Sequence, residues 1–125
     1  MKIAISTSGQ SMDSKLDLRF GRCAYFLIYD TEKEDMRAVA NQGQTASGGA
    51  GITASQQLID EKADIIITGS LGPNAFELLE KAEIKAYKGE AVSVRSILEK
   101  YKKGELSEIK EAGPSHHGQG FKGGR

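Results

Sequence analysis

The run DIIITG at 64–69 constrains the fold of this chain most. An almost unbroken apolar run of this length is typical of a parallel strand that is covered on both faces. A predicted helix lies on each side of it. At 52–63 apolar residues recur at helical spacing, and at 72–82 Pro73 suits the first turn of a helix. A helix between two strands allows those strands to run parallel. The run therefore predicts an α/β fold with a buried, parallel central strand.

The remaining segments extend this pattern in both directions. Three predicted strands come first, at 2–7, 24–30 and 36–41, and a strand at 84–88 and a helix at 93–104 complete the order β-β-β-α-β-α-β-α. Right-handed crossovers place the fourth and fifth strands beyond the first. The sequence thus predicts a mixed five-stranded sheet in the order 3-2-1-4-5, the ribonuclease H-like topology, with helices packed on it.

The end of the chain differs in composition from the rest. Residues 113–125, GPSHHGQGFKGGR, are rich in glycine and hold a single apolar side chain. Such a segment cannot bury enough apolar surface to fold, so we expect a domain over 1–112 followed by a disordered tail. The paired His116 and His117 in this tail are candidate metal ligands.

Charge and composition exclude several functional classes. Seventeen basic residues balance seventeen acidic ones, whereas a nucleic-acid binder normally has a basic excess. The single cysteine cannot form an internal disulfide, and no apolar run approaches the ~18 residues of a membrane span. We expect a cytoplasmic protein that binds neither membrane nor nucleic acid. The first strand, KIAIST, also lacks the acidic residue with which nucleases of this topology hold divalent metals.

A ligand site is expected where the strand order switches, between the first and fourth strands. Ligands of open α/β sheets bind there, beyond the carboxyl ends of the strands, and two helix N-termini at the same edge favour an anion. The alternative is that Ser70 and Asn74 only cap a helix, and that the glycines at 49–51 only form a turn. The candidate ligand-binding residues are Ser6, Thr7, Ser8, Gly49, Gly51, Thr68, Gly69, Ser70, Gly72 and Asn74.

A second group of candidates, Arg19 to Cys23, precedes the second strand. If the arginines lie close to Cys23, they lower its pKa and make it a better metal ligand. One thiolate cannot build an iron–sulfur site, which usually takes four, but it could supply one ligand to a preformed cluster. The alternative is that Cys23 is a small buried apolar residue, that Gly21 forms a turn and that Arg19 and Arg22 are solvated.

Three segments carry a family resemblance: RFGRCAYFLIYD, SGGAGITASQQLIDEKADIIITGSLGPNAFELL and IKAY, in that order. Together they resemble the dinitrogenase iron–molybdenum cofactor biosynthesis family, which includes NifX, NafY and the C-terminal part of NifB. The resemblance covers residues 1 to about 105 and implies a ribonuclease H-like fold. It also implies that Arg19, Phe20, Gly21 and Arg22 form one wall of a cluster site, with Cys23 as a metal ligand.

The resemblance implies a function as well. Such proteins carry an iron–sulfur or iron–molybdenum-type cluster or its precursor without turning over a substrate, and cluster donor and acceptor proteins would be the partners. We expect a monomer or a weak homo-oligomer. One position departs from the nitrogenase-linked members, which often have His where this chain has Arg19. A guanidinium cannot ligate iron, although it can pair with the sulfides of a cluster.

Two other functions remain open from the sequence. The same crevice could serve an enzyme or a sensor that binds a small phosphorylated or carboxylated ligand. Alternatively, the chain could be a protein-interaction module that needs no ligand.

Overall fold

The computed structural model of the protein describes residues 1–113. Each helix and strand expected from the sequence is present, with small shifts at its ends, and one further strand follows α3. The elements are β1 (Lys2–Thr7), β2 (Tyr25–Asp30), β3 (Asp35–Ala40), α1 (Ala50–Asp60), β4 (Ile65–Thr68), α2 (Pro73–Lys81), β5 (Lys85–Lys88), α3 (Val94–Lys102) and β6 (Ser107–Glu108).

The strands form one mixed sheet in the order β3-β2-β1-β4-β5-β6. β1 pairs in parallel with β4, and β4 in parallel with β5, whereas β1, β2 and β3 form an antiparallel meander. The predicted order of the first five strands is therefore confirmed. The predicted number of five is wrong, because β6 pairs antiparallel with β5, Glu108 opposite Tyr87 and Ser107 opposite Lys88.

Helices cover both faces of the sheet. α1 and α2 pack on one face, where Ala4 and Ile66 share a core with Leu58 of α1 and Leu79 of α2. α3 packs on the other face, over a second core that includes Ile3, Ile5, Ile65 and Ile67. Because β1 and β4 lie in the middle of the sheet, both of their faces are buried. The apolar run at 64–69 is thus explained by its position.

The sequence also predicted a disordered tail and no membrane span. The predicted tail, with His116 and His117, lies outside the described residues except for Gly113, so its disorder stays a prediction. Within residues 1–113, none of the helices combines the length and apolar content that crossing a membrane requires.

Candidate functional site

A cavity of ≈ 570 Å³ opens between the N-termini of α1 and α2 and the segment that precedes β2. Glycine and other small residues form most of its wall, so backbone atoms are exposed to whatever occupies it. In the part of the chain that the structure describes, none of the lining residues is acidic. The cavity is lined by Arg19, Phe20, Gly21, Arg22, Ser47, Gly48, Gly49, Ala50, Gly51, Ile52, Ser70, Gly72, Pro73, Asn74 and Ala75.

The two helices present uncapped N-termini to this cavity. α1 begins after Gly49, which has φ 66° and offers no side chain as a cap, and α2 begins after Gly72, which likewise caps nothing. The N–H groups in the first turns of α1 and α2 have no hydrogen-bond acceptor within residues 1–113. These are the N–H groups of Ala50, Gly51, Ile52, Asn74 and Ala75. Each helix end favours an anion by about 0.3–1 kcal/mol. The cavity therefore offers converging donors to an anion.

Arg19 stands at the mouth of the cavity with a largely exposed side chain. Its Nε and NH2 groups donate to the two carboxylate oxygens of Asp17, at 3.1 and 2.9 Å, and a backbone bridge ties it to Ser70. Burial acts to raise the pKa of Asp17, but the hydrogen bonds and charge of Arg19 outweigh it, so that pKa lies below its usual value. A charged Asp17 thus holds the guanidinium in place beside the cavity.

Arg22 lines the cavity as predicted and also makes hydrogen bonds that the sequence did not indicate. Its NH1 group donates to the carbonyl oxygens of Gly43, Gln44 and Ala46, at 3.4, 3.0 and 2.9 Å. The guanidinium therefore fixes the loop that leads to α1, and it still lines the cavity. Arg22 thus positions the loop at 43–46 and adds positive charge to the cavity wall.

Gly21 allows the segment before β2 to lie against the start of α1. A Cβ atom at this position would lie 2.8 Å from the backbone nitrogen of Gly51, and one on Gly43 would lie 2.5 Å from the carbonyl oxygen of Ala50. Such separations are not tolerated between a side chain and a backbone. The two glycines therefore permit the close backbone approach that forms one end of the cavity.

Asn41, which was not predicted as a site residue, connects the segment before β2 to the loop that leads to α1. Its buried amide nitrogen donates to the carbonyl oxygens of Gly21 and Cys23, at 3.0 and 2.9 Å, and its amide oxygen accepts from the N–H of Gly43 at 2.8 Å. An Asn just after a strand suggests only a turn. Nothing in the sequence signals that its side chain reaches back to residues 21–23.

Cys23 lies in the core rather than on the cavity wall. Its side chain is fully buried next to Phe20 and Phe26, and its thiol donates to the carbonyl oxygen of Phe20 at 3.4 Å. Burial, assisted by the negative charge of Asp17, raises the pKa of Cys23 to about 12. The expectation that Arg19 and Arg22 lower this pKa is therefore wrong, because desolvation of the thiolate dominates.

The structure also places several predicted crevice residues away from the cavity. Ser6 and Thr68 lie together as expected, but their hydroxyls hydrogen-bond to each other at 2.8 Å and are buried within the sheet. Thr7 is buried too, Ser8 bonds to Lys15, and Gly69 packs against Leu18. The predicted residues that do line the cavity are Arg19, Phe20, Gly21, Arg22, Gly49, Gly51, Ser70, Gly72 and Asn74.

Several lining residues were not predicted because they are small or apolar and carry no charged or metal-binding group. Their only signal is position, since each lies within a few residues of a predicted glycine. They are Ser47, Gly48, Ala50, Ile52, Pro73 and Ala75. In the described part of the chain, no group of three or more His, Cys, Asp or Glu side chains is placed to hold a metal ion. His116 and His117 lie outside that part.

Comparison with known proteins identifies the family. The sequence model of the dinitrogenase iron–molybdenum cofactor family matches residues 1–104, and the chain belongs to this family. The family and its relatives indicate involvement in the biosynthesis or binding of the iron–molybdenum cofactor. No curated protein sequence matches the chain.

Solved structures of similar proteins share the fold. The apo form of the orange protein from Desulfovibrio gigas is 35% identical and superposes with a TM-score of 0.84, over 88% of this chain and 93% of that one. A provisionally assigned NifB protein from Thermotoga is 31% identical, with a TM-score of 0.78 and coverage of 94% and 98%. A provisionally assigned dinitrogenase from Methanocaldococcus jannaschii, 24% identical with a TM-score of 0.67 over 89% and 96%, shows the fold alone.

Proposed function

We propose that the protein is a non-enzymatic carrier that holds an anionic iron–sulfur or iron–molybdenum-type cluster, or its precursor, as cargo in the cavity between α1 and α2. The observation that supports this most is the convergence of two uncapped helix N-termini and two arginines on a cavity whose described lining contains no acidic residue. Backbone N–H groups and arginines suit a negatively charged cargo, and the carboxylate that pairs with Arg19, Asp17, lies outside the lining.

The donor set also indicates what kind of cluster fits. Among residues 1–113, the lining holds no Cys, His, Asp or Glu, and the Cys23 thiol is buried. A cluster that must take several thiolates from the protein therefore does not fit these residues. A cluster that brings its own sulfide shell does fit, because the N–H groups of Gly51 and Ala75 and the Arg19 guanidinium would supply hydrogen-bond donors for its sulfides.

The absence of reactive groups supports a carrier over an enzyme. No lining residue within 1–113 is a general base, an acid or a nucleophile with an activating partner. The lining hydroxyls in this range belong to Ser47 and Ser70, and neither has a His, Asp or Glu beside it in the described lining. Binding followed by transfer to an acceptor protein needs only reversible contacts. The expected partners are therefore proteins that donate or accept the cluster.

Replacing Arg19 tests the proposal. In an anaerobic titration with isolated iron–molybdenum cofactor, Arg19→Ala should raise Kd by roughly 10-fold, because one charge-assisted contact is lost. Arg95→Ala is the matched control, since Arg95 is equally exposed and also paired with an aspartate, Asp13, but lies on α3. Visible absorption and bound iron report the binding. If the wild type binds inorganic phosphate but no cofactor, the small-anion alternative replaces the carrier.

A further inference from the structure

Within residues 1–113, five glycines line the cavity, and the fold requires glycine at only two of these positions. Gly21 packs closely against the backbone of α1, and Gly49 has φ 66°, a conformation that favours glycine. Gly48, Gly51 and Gly72 have no positive φ. Backbone conformation therefore gives no reason for glycine at these three positions.

Space does not require glycine at the three positions either. A Cβ atom on Gly48 or Gly72 would meet no heavy atom within 4 Å apart from its neighbours in the chain. One on Gly51 would lie 3.4 Å from the Cβ atom of Ala75, an ordinary van der Waals distance. Alanine would thus fit each position without a shift of the backbone. The missing side chains leave bare backbone on the wall of the cavity.

Other residues would stabilise the protein more at two of these positions. Gly51 lies inside α1, where alanine is the better helix former. Gly72 precedes α2 with φ −71° and ψ 171°, an extended conformation in which serine can cap a helix. Ser93 does so at the start of α3, where φ is −61° and ψ 149°, and its hydroxyl accepts from the N–H of Ser96 at 3.2 Å. Stability alone would therefore favour Gly51→Ala and Gly72→Ser.

The volume of the cavity indicates a ligand larger than a single small anion. Its ≈ 570 Å³ falls within the range of roughly 300–1,000 Å³ that is usual for pockets enclosing drug-sized molecules. One helix start and Arg19 would satisfy a lone phosphate or carboxylate. A larger anion would touch several parts of the wall at once, and bare backbone at Gly48, Gly51 and Gly72 gives it the room to do so.

We propose that Gly48, Gly51 and Gly72 are specificity-determining residues, which set the size of the cargo that the cavity admits. The outer atoms of a polynuclear cluster lie directly on the backbone at these glycines. A side chain there would hold the cluster away from the N–H groups of Gly51 and Ala75. This inference rests on the proposed carrier function and deepens it, because it identifies the part of the wall that selects a cluster by size.

The test compares Gly48→Ala, Gly51→Ala and Gly72→Ala with Gly113→Ala as the matched control. Gly113 lies outside the lining, and apart from its chain neighbours a Cβ atom there would come no closer than 3.5 Å to another residue. In anaerobic titrations with isolated iron–molybdenum cofactor, each cavity variant should raise Kd by about 10-fold, the usual cost of a methyl group inserted into a filled contact. Gly72→Leu should weaken binding further, and the control should bind like the wild type.

Thermal unfolding without cofactor separates this role from a structural one. None of the three alanine variants should have a lower Tm than the wild type, because each new methyl group enters free space or an ordinary contact. Gly51→Ala should raise Tm by roughly 2–5 °C, since alanine suits the helix and restricts the unfolded chain. Gly72→Ser should also raise Tm while it weakens binding, because its hydroxyl would accept from the N–H of Ala75 in place of the cargo.

The possible failures of the inference and of the carrier function differ. Wild-type affinity for the cofactor in all three alanine variants would overturn the inference and leave the carrier function standing. Weaker binding that is accompanied by a lower Tm in all three would also overturn it, since the fold itself would then require the glycines. A wild type that binds no cofactor would overturn the carrier function, and this inference with it.

Discussion

Gly21→Ala should destabilise the protein by about 1–3 kcal/mol, the usual cost of inserting a methyl group where no space exists. The new Cβ would lie 2.8 Å from the backbone nitrogen of Gly51 and 3.1 Å from the carbonyl carbon of Ala50. Because those atoms belong to the backbone of α1, no flexible side chain can move to accommodate it. Either α1 shifts or the segment before β2 does, and both form the cavity.

Thermal unfolding measures this effect. For a domain of this size, such a loss corresponds to a fall in Tm of roughly 4–12 °C. Gly48→Ala is the matched control, since it is the same change in the same cavity wall and a Cβ there meets no atom within 4 Å. Its Tm should stay close to that of the wild type. Equal Tm values for Gly21→Ala and the wild type would show that α1 does not pack on this segment as described.

Asn41→Ala should have an effect of similar size for a different reason. The amide joins Gly21, Cys23 and Gly43 by three hydrogen bonds of 2.8–3.0 Å. Its removal leaves buried backbone groups without partners, and each such group costs about 1–3 kcal/mol. Since water can partly compensate where a cavity opens, we expect a net loss of about 2–4 kcal/mol.

The matched control for this variant is Asn74→Ala, which removes the same amide from an exposed position that lines the cavity. Chemical denaturation should show a lower midpoint for Asn41→Ala and almost no change for Asn74→Ala. A small effect of Asn41→Ala would mean that the loop at 42–49 is held chiefly by Arg22 and Gln57, whose side chains also bond to that region.

Much of the fold could be predicted because burial leaves a periodic trace in the sequence. The apolar run at 64–69 follows from a strand covered on both faces, and the order of the first five strands follows from the handedness of the crossovers. β6 could not be predicted in the same way. It is two exposed residues long, Ser107–Glu108, and exists only because the edge of β5 offers it backbone partners.

The candidate site was predictable in part. The positions of glycines at helix starts indicated Gly49, Gly51 and Gly72. The sequence did not show that Arg22 would bind loop carbonyls more than twenty residues away, because that contact depends on how the loop folds back. Nor could the sequence show whether the Cys23 side chain points into the core or toward the cavity. A residue that follows Arg22 and precedes a strand can do either.

The most direct test of the carrier function is a map of backbone amides in ¹⁵N-labelled protein during an anaerobic titration with isolated iron–molybdenum cofactor. If the cavity holds the cluster, signals should shift or broaden first at the uncapped helix starts, at Ala50, Gly51, Asn74 and Ala75, while amides of α3 on the opposite face should stay unchanged. Perturbations centred on α3 or on the edge strand β3, with the helix starts unaffected, would contradict it.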